Sequence, residues 1–349
     1  MGMKTMMNLT PREKLILGAI VQNFIESATP VSSTLIANRM KLGLSPATIR
    51  NIMASLEAKG YIYQPHTSAG RVPLTPAYRV YVDSLMKRAR LTAEEKERIR
   101  QSVQETIYEF SEVMREATRI LAHLSHLLGV VVSPRLKQGH FQRMELISLS
   151  AERILVIITI ETGLVKTIQL ELTSQIPREK LEMVSQVLNE RLYGMRLDEI
   201  RKNFFSIVRD LKNDESGLIQ LFVQAADRMF DFEDDLDVYY MGTHFIVQQP
   251  EFSDLQRFSS VAELLENRNI IIQLLDEPTE AEGQTLKIKI GDEIEDERLK
   301  DCSIITAKYR LGDVTGTLGI IGPTRMNYGK MVTLVDFTAR TISQLFEKN

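Results

Sequence analysis

The punctuation between Thr10 and Pro76 constrains this chain more tightly than any other feature of it. Thr10-Pro11, Ser45-Pro46 and Thr75-Pro76 each set a helix-capping hydroxyl before a proline suited to the first helical turn. Glu13 follows Thr10 at the spacing of a capping box. The helix opened there spans 10–27, with Leu15, Ile16, Ala19, Ile20 and Phe24 on its apolar face, and Thr29-Pro30 breaks it. A short second helix runs from Ser32 or Ser33 to about Met40, and Gly43 supplies a turn. The third helix starts at Ser45-Pro46, runs to Lys59 and stops at Gly60, a residue suited to a left-handed helix end. Its apolar stripe is Ile49, Ile52/Met53 and Leu56. Tyr61–Gln64 and Arg71–Leu74 then read as two short strands around the turn-forming run 65–70, and a further helix follows Thr75-Pro76.

Helices, turn, polar third helix and hairpin in this order read as a winged helix-turn-helix. The outward face of the third helix carries Ala47, Arg50, Asn51, Ala54, Ser55 and Ala58, with Thr48 at its edge. Small residues let a helix backbone lie deep in a DNA major groove. There Arg pairs with guanine and Asn with adenine, each through two hydrogen bonds. An ordinary solvated face carries more Glu and Lys, and Glu57 is the one acid in this helix. Charge points the same way. The whole chain carries −3, yet residues 1–90 hold twelve Lys/Arg and four acids, or +8, leaving −11 on the remainder. A basic head on an acidic body suits a polyanionic partner. His66, Thr67, Ser68 and Arg71 on the hairpin, with Lys59, are expected at phosphates or the minor groove, and Arg79 keeps the following helix basic. Similar winged helices also mediate protein contacts, so the fold does not by itself prove DNA binding.

Ser45–Asn51, Leu56–Tyr61, Gln64–Arg71 and Tyr78–Asp83 together resemble the HrcA family of bacterial heat-inducible transcription repressors. Gln64-Pro65-His66-Thr67-Ser68-Ala69-Gly70-Arg71 is the most specific of these runs. Ile52 stands where the family commonly has an acid, and Leu74-Thr75-Pro76-Ala77 replaces a more polar run. Both departures bear on fine contacts at the helix and behind the wing.

Beyond the head, Leu91–Glu105 reads as a charged linker helix, and 106–128 as an amphipathic helix through Ile107, Phe110, Val113, Met114, Ile120, Leu121, Leu124 and Leu128. Strands are expected at about 141–149, 152–160 and 164–172, then a helix from Ile176-Pro177 to about Leu192. Ser303–Arg310 and Gly316–Ile321 form a closing hairpin, and a last helix spans Tyr328–Phe346. Helix, antiparallel sheet and closing helix give an α+β domain. Its order resembles a GAF-like domain, which in the family is interrupted by an inserted α/β dimerisation domain. The expected division is a winged-helix head at 1–90, a linker helix at 91–104, the GAF-like domain at 105–194 and 285–349, and the insertion at 195–284. Helices are expected there at Leu197–Leu211, Leu218–Phe230 and about Leu255–Leu275. Val238–Thr243 and Gln249–Asp254 also look like the family.

No catalytic pattern emerges. The glycines at 312, 316, 319 and 322 lack the Gly-Lys-Ser/Thr of a phosphate loop, and neither Gly-x-Ser-x-Gly nor His-Glu-x-x-His occurs. The lone Cys302 forms no intrachain disulfide and suits a reducing cytoplasm. His123 and His126 lie one turn apart without an acid at ligand spacing, and the five acids of 231–237 lack the glycine and final Glu of a calcium loop. No metal, cofactor or enzymatic activity is expected. The most apolar run, Ile154–Ile160, is far short of the roughly 20 residues of a membrane span.

The resemblance implies a homodimeric repressor that binds an inverted-repeat operator, called CIRCE, near chaperone operons. It also implies dependence on the GroE chaperonin for activity, and release from DNA on heat stress. Arg50 and Asn51 would read bases with Ala47 and Thr48 beside them. The competing expectation is a regulator that senses a small molecule in the GAF-like domain.

Overall fold

Thr10 and Glu13 close the capping box that starts the first helix: the Glu13 N–H donates to Thr10 Oγ1 at 3.2 Å, and the Thr10 N–H to Glu13 Oε2 at 2.8 Å. A computed structural model describes residues 9–40, 43–104, 110–134, 139–161, 163–172, 174–213, 217–231, 237–252, 259, 262–263, 267–275 and 285–347. The head contains α1 (Pro11–Ser27), α2 (Ser33–Met40), α3 (Pro46–Ala58), the strands β1 (Ile62–Tyr63) and β2 (Val72–Pro73), and α4 (Thr75–Val80), continued by a π-helical turn over Tyr81–Leu85. Ile16, Leu17 and Ile20 of α1 pack with Ile36 of α2 and Ile49, Met53 and Leu56 of α3. Leu15, expected inside, is 44% exposed. Thr75 does not cap α4 but forms its first residue, after Leu74.

Beyond the head come α5 (Ala93–Gln104), α6 (Phe110–Ser125) and β3 (Leu128–Val132). Next are β4 (Phe141–Ser150), β5 (Arg153–Ile160), β6 (Val165–Glu171), α7 (Arg178–Leu192), α8 (Leu197–Ile207) and α9 (Leu218–Phe230). The remainder holds β7 (Val238–Met241), α10 (Thr243–Val247), α11 (Arg268–Leu275), β8 (Leu286–Ile290), β9 (Cys302–Leu311), β10 (Val314–Pro323) and α12 (Tyr328–Glu347).

These strands divide into two larger sheets, both antiparallel. One is five-stranded in the order β7-β3-β10-β9-β8, and the other is β4-β5-β6. The expectation that the strands at 141–172 share a sheet with the closing hairpin is therefore corrected. Each sheet buries a separate set of apolar residues. Ile154, Val156, Ile158 and Ile160 alternate inward on β5 and pack with Leu188, Phe204 and Phe222 of α7–α9. In the five-stranded sheet, Ile305, Ala307, Tyr309 and Leu311 face one side with α6 and α12, whereas Leu128, Val130, Ile304 and Ile321 face the other with α10 and α11. β3 starts at Leu128, where the helical periodicity of α6 still runs on in the sequence, and β7 and β8 are strands that the sequence pattern does not mark. Gly129 makes the α6–β3 contact possible, because a Cβ there would lie 2.6 Å from the Thr118 carbonyl oxygen.

The 91–104 segment exposes its charged face to solvent and packs its other face against the body. Ile99 and Val103 are fully buried, and α5 lies against α6 and α12. Lys96 and Arg100 sit 5.9 and 5.6 Å from the Phe337 ring centre, so the charged side also covers an aromatic face. The head belongs to the same apolar cluster as this face of the sheet. Arg325 strengthens the junction, donating to the Ile25 carbonyl at 3.2 Å and pairing with Glu251 at 2.7 Å. Residues 232–236 of the acidic run and much of the helix expected at 255–275 lie outside the described residues. Arg268–Leu275 is helical.

Candidate nucleic-acid interface

Ser45 caps α3 in the expected way, its Oγ accepting the Thr48 N–H at 3.1 Å. Thr48 is half-buried and its hydroxyl lies 2.9 Å from Ser45 Oγ, so it belongs to the cap as much as to the outer face. Ile49, Met53 and Leu56 point into the core. Beyond the exposed first residue Pro46, the exposed residues are Ala47, Arg50, Asn51, Ala54 and Ala58, one continuous strip along the helix. Among the described residues, neither the Arg50 guanidinium nor the Asn51 amide has a hydrogen-bonded or charged partner. An arginine and an amide thus stand free among alanines.

The hairpin lies against α2's approach strand. Val31 and Arg71 exchange backbone hydrogen bonds of 2.9 and 2.8 Å, adding a third chain beside β1 and β2. Gly70 is required by this contact, since a Cβ there would fall 2.5 Å from the Val31 carbonyl carbon. The Gln64 amide then ties the tip, donating to the carbonyls of Thr67 at 3.0 Å and Ala69 at 2.9 Å. His66, Thr67 and Ser68 remain exposed on that tip. Gln64 was legible as part of a run but not as the brace that shapes it.

Four other expected contact residues are committed elsewhere. Ser55 donates to Glu13 Oε1 at 2.8 Å, and Lys59 Nζ approaches the same oxygen at 2.6 Å. Glu13 is 6% exposed, and the Lys59 ammonium, with the Thr10 N–H, holds its carboxyl down at about 2. Arg71 pairs with Glu57 at 2.9 Å and is itself mostly covered. Arg79 reaches to the body: Nε donates to Glu293 Oε1 at 2.7 Å, and Nη2 to the Ile288 carbonyl at 2.8 Å. It also pairs with Asp83 at 3.1 Å. The structure therefore brings Ala47, Arg50 and Asn51 together on one exposed strip and leaves the hairpin tip free. It spends Ser55, Lys59, Arg71 and Arg79 on holding α3, the hairpin and the body in place.

His123 and His126 meet the edge of Phe245, with ring centres at 5.9 and 5.1 Å. Cys302 is buried, and that burial pushes its thiol up to about 12. Among the described residues, no helix is long and apolar enough to cross a membrane.

The family model described as the HrcA protein C-terminal domain matches residues 111–332. A heat-inducible transcription repressor HrcA from Prosthecochloris aestuarii is 40% identical over 99% of both chains. The repressor of the same name from Geobacter sulfurreducens is 38% identical over 98% of this chain and 99% of its own. A solved structure of a protein described only as hypothetical superposes with a TM-score of 0.60, at 22% identity, over 98% of this chain and 99% of that one, which shows a shared fold. With full-length relatives at this identity, the chain belongs to the HrcA family of heat-inducible transcription repressors.

Proposed function

We propose that this repressor acts as a homodimer on double-stranded DNA, with α3 in the major groove and the 66–68 hairpin tip beside the backbone. The observation that carries the reading is the strip of Ala47, Arg50, Asn51, Ala54 and Ala58, in which the polar groups are exposed and unpaired among side chains too small to obstruct a groove. The winged-helix head is residues 1–90. Arg50 and Asn51 read base edges, Ala47 and Thr48 pack against them, and His66, Thr67 and Ser68 meet phosphate or the minor groove. Ser55, Lys59, Arg71 and Arg79 act indirectly, by fixing the pose of α3 and the hairpin.

The body divides into two units. The GAF-like unit is the five-stranded sheet with α5, α6 and α10–α12. The insertion is 139–231 rather than 195–284, because β4–β6 and α7–α9 share an apolar core of their own. The outer face of β4–β6 supports its role as the dimerisation unit. Ile147 lies opposite Leu155, Val165 opposite Thr159, and Ile157 lies between these rows. Ile147 and Val165 are 43% and 57% exposed. A two-fold pair of heads calls for an inverted repeat, here the CIRCE operator of chaperone operons. Activity depends on the GroE chaperonin and falls on heat stress, which releases the operator. Both faces of the five-stranded sheet are covered by packed apolar side chains, which leaves the small-molecule reading without an observation in its favour.

Gel-shift titration of an inverted-repeat duplex against a scrambled one tests this reading. The account expects a large preference for the repeat. Equal affinity for both duplexes would contradict it.

A further inference from the structure

Three potential ligands meet where the insertion approaches the closing hairpin: His140, Glu161 and Asp313. They come from distant parts of the chain. His140 precedes β4, Glu161 follows β5, and Asp313 sits in the tight β9–β10 turn beside Gly312 at φ +55°. The backbone holds the first two together, since the Glu161 N–H donates to the His140 carbonyl at 2.9 Å. His140 is held from its other side by an isolated bridge to Arg196.

His140 Nδ1 lies 3.0 Å from Asp313 Oδ2 and 3.9 Å from Glu161 Oε2. It is shielded from solvent yet makes no hydrogen bond of acceptable direction. A ring nitrogen and two carboxylates from three separate segments, their ligand atoms all within 4.8 Å of one another, have the arrangement of a cation site. Two ligands about 2.1 Å from a tetrahedral ion stand roughly 3.4 Å apart, between the two separations seen. One imidazole with two carboxylates favours a divalent transition metal over magnesium or calcium, which take all-oxygen sets.

We propose that His140, Glu161 and Asp313 bind a divalent transition-metal ion such as Zn2+, with water completing the shell, and that the ion clips the insertion to the β9–β10 turn. The two units have separate apolar cores, so a cross-link between them fixes a geometry that burial alone leaves less constrained. The site is remote from the DNA-facing strip in sequence, and the inference does not rest on DNA binding.

The test uses the full-length protein stripped with chelator. Zn2+ is titrated calorimetrically, Co2+ is followed by visible absorption, and thermal unfolding is measured with and without Zn2+. The expected result is one ion per chain at micromolar concentration, a visible Co2+ band and a Tm raised by several degrees. Asp313→Asn and His140→Gln should each weaken binding at least tenfold while keeping the circular dichroism of the parent. Asp313→Asn changes one exposed turn residue, so it separates lost ligation from lost folding. Absence of saturable binding would overturn the proposal. So would undiminished binding in both variants, which would place the ion elsewhere. A Tm that does not respond to Zn2+ would make the trio a simple side-chain cluster and equally overturn it.

Discussion

Glu13 illustrates how one buried carboxylate can fix the pose of a helix it does not belong to. It completes its own cap and then holds Ser55 and Lys59 near the end of α3. Its carboxyl sits at about 2 against an ordinary 4.5. A lowered value means stability fully present above the ordinary value and lost as pH falls from there through about 2. Glu13→Gln should therefore cost about 1–3 kcal/mol at neutral pH, and the gap from the parent should close in strong acid. Denaturant unfolding as a function of pH measures this. An equal gap at pH 7 and pH 2 would remove the electrostatic explanation. Cys302 makes a second residue-level prediction. Buried, with its thiol at about 12, it should resist alkylation at pH 8 in the native chain and react promptly in denaturant. Mass spectrometry of iodoacetamide-treated protein reads both.

At the scale of elements, the head was legible because its signals are local. Thr10 with Glu13, and Ser45 with Thr48, are three residues apart and close the caps their spacing implied. The roles of Lys59, Arg71 and Arg79 were not legible, because each depends on a partner supplied by another element. Lys59 and Glu13 are 46 positions apart, and Arg79 and Glu293 are 214 apart. Two substitutions probe these tertiary devices. Gly70→Ala drives a Cβ into the Pro30–Val31 backbone and should destabilise the head by about 1–3 kcal/mol, with the hairpin tip displaced. Hydrogen exchange of the 61–74 amides would show that displacement. Arg79→Ala should lower Tm yet leave the salt dependence of DNA binding unchanged, because its charge is already matched by Glu293. A slope reduced by about one unit would instead make Arg79 a phosphate contact.

At the scale of the whole molecule, the main departure is the partition of strands. Apolar alternation marks β4–β6 and β9–β10 as strands but carries no information about which sheet each joins. That choice is made by α7–α9, which cover β5, and by the short β3, which brings β7 and β10 together. The candidate site was half legible for the same reason. The exposed strip on α3 follows from helical periodicity, whereas the docking of head on body depends on Arg325, Glu251 and Ile25 meeting across the fold. With the proposed homodimer joined through the outer face of β4–β6, Ile157→Glu should shift it toward monomer in sedimentation velocity. An unchanged dimer would move the interface off that face.

DNA footprinting on an inverted-repeat chaperone promoter tests the central claim most directly. The account predicts two protected half-sites related by a dyad, with protection lost in Arg50→Ala and Asn51→Ala proteins that still dimerise and melt like the parent. Loss of a paired base contact should weaken binding by about 1–3 kcal/mol at each half-site. Protection that persists unchanged in both variants, or that never follows the repeat, would contradict the assignment of α3 as the reading helix.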